Sequence, residues 1–132
     1  MALQLVKNKL VLSLDLGGGG LIESISAGSL LDDNLWHDVL ISRRGRDVLF
    51  TVDRVLVRHF LKSDYTRLNL NHDLFIGGIP IKIADPINTR ENFSGCIENL
   101  TFNSTNIAYE IQMDDRNFVY GKLGQIQYSC QV

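Results

Sequence analysis

In "KLVLSLDL", residues 9–16, Leu10, Leu12, Leu14 and Leu16 fall on one side of the chain and Val11, Ser13 and Asp15 on the other. A β-strand sends successive side chains to opposite faces, whereas a helix would scatter these leucines round its circumference. The same period of two returns in "WHDVLIS" (Val39, Ile41), "DVLFTVD" (Val48, Phe50, Val52), "TRLNL" (Leu68, Leu70), "DLFIGG" (Leu74, Ile76) and "CIENLTF" (Leu100, Phe102). Turn-forming residues separate these runs: Gly17 to Gly20, Asp32-Asp33-Asn34, Arg44-Gly45 and Gly77-Gly78. Short strands at this spacing, with no convincing stretch of helical period, predict an all-β sandwich or barrel. A chain of 132 residues suits one domain, 1–132, and can bury a sizeable core.

The segment "NFSGCIENLTFNST", residues 92–105, carries three Asn-x-Ser/Thr triplets, at Asn92, Asn99 and Asn103, around Cys96. Each triplet fits the N-glycosylation acceptor pattern, which matters only in the secretory pathway. Cys130 is the only other cysteine. Oxidising compartments both glycosylate and cross-link, so the combination favours a secreted protein with one disulfide over two buried thiols beside accidental triplets. A Cys96–Cys130 bond would fasten the end of the chain to the sheet. Cys96 is expected to open a strand in which Leu100 and Phe102 face inward. Asn99 would then point outward, with Asn103 just past the strand.

A net charge of −2 gives no reason to expect nucleic acid or an anionic membrane as partner. No apolar run reaches membrane-spanning length, and Met1 is not followed by the apolar segment of a signal peptide. For an extracellular protein, the chain is therefore expected to be an excised piece of an ectodomain.

The ordered motifs now narrow the family. An Asp33-Asn34 turn precedes Trp36-His37, Val52-Asp53 closes the following hairpin, Gly77-Gly78 ends a later strand, and Phe93-Ser94-Gly95-Cys96 leads to the disulfide. This series resembles the laminin G-like (LNS) module, and "RRGRDVLFTVD", "FIGGIP" and "GCIENLTFN" look most like the contactin-associated protein and neurexin IV branch of neural adhesion proteins. The resemblance covers nearly the whole chain. It implies a jelly-roll β-sandwich whose N-terminal strands are missing here, since "MALQLVKNKLVLSLDL" matches a strand pair preceded in the family by several others. It also implies an extracellular protein-interaction module of a single-pass cell-surface protein, with a contactin-type partner. The alternative is a lectin-like module that binds acidic glycans.

Calcium-binding members would place one ligand side chain at Asn69 and carbonyls at Leu16 and Arg67. The family's first acidic ligand has no counterpart in this sequence. Calcium takes six to eight oxygens, so a neutral amide with two carbonyls predicts weak binding at most. No other cofactor is expected.

Catalysis finds little support. "DLGGGGLIES" lacks the lysine and hydroxyl residue of a phosphate-binding loop, and no Gly-x-Ser-x-Gly elbow is present. His37, His59 and His72 lack zinc-ligand spacing. The acidic residues lie mostly in turns rather than as a facing pair. Trp36, the only tryptophan, is expected to pack in the core or at its rim rather than stack on a sugar. Two segments remain as candidate partner contacts. One is the hairpin with Arg43, Arg44 and Arg46, whose bland reading is a solvated turn. The other is the segment 79–92, which holds both prolines together with Lys82, Asp85 and Arg90.

Overall fold

The computed structural model describes residues 1–15, 22–62, 74–79, 91–113, 127, 129 and 130. The chain divides into two compact units, Met1–Phe93 and Ser94–Val132.

The first unit is a β-sandwich of two antiparallel three-stranded sheets. In one, β1 (Ala2–Val6), β2 (Lys9–Asp15) and β3 (Ile22–Ala27) lie in chain order; in the other, β4 (Val39–Arg44), β5 (Asp47–Val52) and β6 (Val55–Phe60) do the same. The sheets meet where β3 packs on β5 and β6. Each sheet contributes one face to a single core: Leu12, Leu14, Ile25 and Ala27 from the first, Val48, Phe50 and Val52 from the second, closed by Leu61 just past β6. The alternation legible in "LVLSL" and "DVLFTV" therefore maps directly onto that core, with Leu10 and Ile41 packed at its margin.

Two turns show how local chemistry sets the register. At the β4–β5 hairpin, Gly45 takes the first loop position at φ 60°, the left-handed conformation that a tight two-residue hairpin demands there. At the β5–β6 hairpin both loop residues, Asp53 and Arg54, have positive φ without being glycine. Aspartate tolerates this conformation better than most residues, and here its carboxylate is held by two hydrogen bonds described below.

The second unit contains a two-residue hairpin, β7 (Thr101–Phe102) with β8 (Thr105–Asn106), followed by α1 (Ile107–Met113). A disulfide joins Cys96 to Cys130 across 34 positions of sequence, with the Cα atoms 6.0 Å apart. Asn106 caps α1: its Oδ1 accepts a hydrogen bond from the Tyr109 N–H at 3.1 Å.

Several expectations need correction. Ser13, assigned to the solvent face, is buried because β2 is the central strand and the small side chain sits between Ala2 and Ser24, with its Oγ 3.2 Å from the Ser24 Oγ. Val39, assigned inward, is exposed at the outer end of β4. Leu74 and Ile76 are exposed and belong to no strand. Cys96 likewise opens no strand: residues 96–100 run irregularly, with Asn99 at φ 52°, and pairing begins only at Thr101. Trp36 is 54% exposed, which rules out the core half of its expected core-or-rim placement. The helix α1 was not anticipated.

Candidate interaction surface

The loop before β4 and the β5–β6 turn are joined by one ionic network. His37 lies between two carboxylates, with Nε2 2.8 Å from Asp33 Oδ1 and Nδ1 2.6 Å from Asp53 Oδ2. The other Asp53 oxygen accepts the Asp38 N–H at 2.9 Å, while the Asp53 N–H donates to the Asp38 carbonyl at 2.9 Å. Asp33 also accepts the Leu35 N–H at 2.9 Å. The hydrogen bonds to Asp53 and then Asp33 hold the imidazole protonated to higher pH than usual, and His37 in turn lowers the pKa of each carboxyl. In the protonated imidazole both ring nitrogens donate to carboxylates. These bonds brace the loop that displays Leu35 and Trp36.

Sequence reasoning singled out Arg43, Arg44 and Arg46 as one cationic cluster, and the structure gives them different surroundings. Arg43 donates from Nε to the Gly45 carbonyl at 2.8 Å within its own turn. Arg46 reaches the end of β6, donating Nε to the Leu61 carbonyl at 2.8 Å and Nη2 to the Lys62 carbonyl at 3.1 Å, with its guanidinium carbon 4.8 Å from the centre of the Phe60 ring. Arg44 is exposed at the end of β4. Beside them, Arg58 holds Asp47 through two hydrogen bonds of 2.9 and 2.8 Å, which lowers the Asp47 pKa. Phe60, Asp47 and Arg58 were not foreseen as neighbours of the cluster. The strict alternation of β5 and β6 was the available signal, because it sends all three to one face.

A shallow cleft between β3 and β6 is lined by Ile22, Glu23, Ser24, His59 and Lys62. Glu23 Oε1 lies 3.2 Å from His59 Nε2 and accepts the Lys62 N–H at 2.8 Å, so these groups tie the two sheets together.

Asn92, Asn99 and Asn103 are all exposed. Asn99 and Asn103 have positive φ, and Asn103 is the first loop residue of the β7–β8 hairpin. The Asn92 carboxamide lies against Gly78. The calcium candidates Leu16, Arg67 and Asn69 and the partner candidates Lys82, Asp85 and Arg90 lie outside the described residues. Among the described residues, no group of three or more His, Cys, Asp or Glu side chains is placed to hold a metal ion, and no helix is long and apolar enough to cross a membrane.

Comparison with known proteins decides the family. The laminin G domain profile matches residues 1–105, a span that takes in both sheets and the β7–β8 turn. The chain belongs to the laminin G domain family. This laminin G domain is 56% identical over 105 residues to Neurexin-4 of Drosophila melanogaster, a match covering 80% of the chain and 8% of that protein. It is 47% identical over 85 residues to Contactin-associated protein 1 of Homo sapiens, covering 64% of the chain and 6% of the relative. The corresponding protein of Mus musculus is 36% identical over 107 residues, covering 81% and 8%. The chain thus spans less than a tenth of the length of these relatives. No solved structure matches it.

Proposed function

We propose that this laminin G domain is an extracellular protein-interaction module of a neural-type cell-adhesion protein, binding through its surface without catalysis. The observation that carries the reading is the display of charged and aromatic groups on a braced scaffold: the arginine hairpin and the Leu35-Trp36 loop stand on strands fixed by the His37 and Arg46 networks. Binding residues are commonly held this way, on loops and strand ends positioned by a rigid sandwich. The disulfide and the exposed acceptor asparagines of 92–105 support an extracellular location. The relatives' name, contactin-associated, makes a contactin-type protein the first partner to try.

Pulldown with a contactin ectodomain tests this reading directly, with the segment 79–92 probed by replacing Lys82, Asp85 and Arg90. Retention of the contactin supports the reading, and its absence in glycosylated, disulfide-bonded material removes it. A second reading, capture of an acidic glycan, draws on Arg43 and Arg44. It predicts retention on heparin that falls steeply with salt and is lost when both are changed to Ser. For calcium we expect no tight site, and titration calorimetry with the metal alone would show a strong isotherm if that expectation is wrong.

A further inference from the structure

The loop between β3 and β4 is joined to the β5–β6 turn at one side chain. His37 Nε2 lies 2.8 Å from Asp33 Oδ1 within the loop, and Nδ1 lies 2.6 Å from Asp53 Oδ2 across in the turn. An imidazolium donates from both nitrogens at once. A neutral imidazole keeps a single N–H, so its second nitrogen turns a lone pair toward a carboxylate and that contact becomes repulsive. Loss of one proton therefore breaks one of the two attachments.

The surroundings decide which one. Asp53 is fastened where it stands, because its Oδ1 accepts the Asp38 N–H and its own N–H donates to the Asp38 carbonyl, both at 2.9 Å. Asp33 has a local tie, to the Leu35 N–H two positions on. The shorter bond and the fixed partner keep the remaining proton on Nδ1, and the Asp33 arm is the one that lets go. That arm leads straight into Leu35 and Trp36, which are 71% and 54% exposed. The same loop holds Leu30 at φ 54° and Asn34 at φ 62°. A left-handed leucine persists only where its surroundings impose it, so the backbone gains by letting the loop move.

We propose that His37 is a proton-operated latch on this loop: with both ring nitrogens protonated it fixes the segment carrying Leu35 and Trp36 to the β5–β6 turn, and with one it frees the Asp33 side. Around the ring, its own loop supplies Asp32, Asp33 and Asp38, and the turn supplies Asp53 and Arg54. The β1–β2 turn, bonded to Leu31 through the Asn8 carbonyl, carries Lys7, with Lys9 just beyond it. Among the described residues, Asp33 and Asp53 are the side chains bonded to the ring. Their bonds set the direction: folded His37 keeps its proton above its ordinary 6.5, while both carboxyls titrate below their ordinary 3.8. The latch is closed in mild acid and opens as pH rises through the raised histidine value. It is a property of the domain itself and stands whether or not a contactin-type protein binds.

Trp36 is the only tryptophan, so its fluorescence reports on the loop in the intact chain. Acrylamide quenching is followed from about pH 9 to about pH 5, beside the nitrogen NMR shifts of the His37 ring. Quenching should fall in one step on acidification, with a midpoint above that of an ordinary histidine and equal to the midpoint of the ring nitrogens. His37→Gln should flatten the step. Asp33→Asn should flatten it too, because a carboxamide can turn its oxygen to the imidazolium or its N–H to the neutral ring. His59→Gln should leave it in place, and unchanged far-UV circular dichroism verifies that each variant folds. A flat wild-type profile, a step that survives His37→Gln or Asp33→Asn, a step removed by His59→Gln, or ring nitrogens that titrate at a different midpoint from the quenching overturns the latch. The comparison of the two wild-type midpoints requires no substitution, so it decides the matter if a variant fails to fold.

Discussion

His37 Nδ1 sits 2.6 Å from Asp53 Oδ2, joining the loop that carries Trp36 to the turn between β5 and β6. The folded state raises the pKa of His37 from its ordinary 6.5, mainly through this bond, and lowers those of Asp53 and Asp33 from 3.8. A raised histidine stabilises the fold fully below 6.5 and loses that contribution as pH rises through its folded value. Depressed carboxyls contribute fully above 3.8 and lose it as pH falls through their folded values. The brace is therefore complete between these limits. In His37→Gln, the stability deficit relative to wild type should be largest between the ordinary carboxyl and imidazole values and shrink as pH rises through the raised value of His37. Chemical denaturation across that range measures it, and a constant deficit would show that imidazolium charge plays no part.

Phe50 is fully buried at the centre of the core, paired with Ile41 and Val57 on the flanking strands. Phe50→Ala should cost about 3–5 kcal/mol, the usual range for a phenylalanine removed from a packed interior. Urea denaturation gives the value directly. A cost below about 1 kcal/mol, the range of surface substitutions, would contradict this placement.

Gly28 stands just after β3 at φ 81°, and a Cβ built there would lie 2.7 Å from Leu31 Cδ1. Gly28→Ala combines an unfavourable backbone conformation, about 1–2 kcal/mol, with displacement of a side chain packed on the core. Gly45→Ala has the same sign of φ but open space around it, so it should be the milder change. A reversal of that order in thermal melts would refute the reading.

The Cys96–Cys130 bond closes a loop across 34 positions, worth about 3–4 kcal/mol on the chain-entropy account. A segment as short as Ser94–Val132 has little core of its own, so reduction should raise hydrogen exchange there well before β2 and β5 lose protection. Uniform loss of protection along the chain would argue against two units of different stability. Intact mass with and without alkylation verifies the bond itself.

Glycan attachment is expected at Asn92 and at one or both of Asn99 and Asn103, the last two being exposed turn positions only a few residues apart. Enzymatic deglycosylation of secreted material converts each occupied asparagine to aspartate. Mapping only unmodified asparagine at all three positions would defeat the expectation.

How far the sequence revealed the structure depended on whether a strand had one solvated face. Val48, Phe50 and Val52 read correctly because β5 is central and its inward face meets the opposite sheet. Ser13 misled because the outer face of a central strand can bury a small polar side chain between its neighbours. Leu74 and Ile76 carried the alternation without making a strand: period two is necessary for a half-buried strand and does not supply the partner that hydrogen-bonds to it. The helix α1 was missed because seven residues are too few to show a helical period, although Asn106 ahead of "IAYEIQM" is a capping signal. At the candidate surface, the arginine triplet was visible as charge. Its division into tied and displayed side chains was not, since the carbonyls of Leu61 and Lys62 that hold Arg46 come from a strand end 15 and 16 positions away.

That division bears on how this domain could diversify. Arg46 spends its planar fork on two carbonyls and a ring, a geometry that a lysine ammonium cannot reproduce. Altering it to retune affinity would loosen the end of β6 along with the contact. Arg44 carries no such duty to the fold, so charge there can be kept, neutralised or reversed while the sandwich stays intact. Two positions apart in sequence and identical in type, the two arginines face separate evolutionary constraints, and changes of partner should register at position 44 long before they reach position 46.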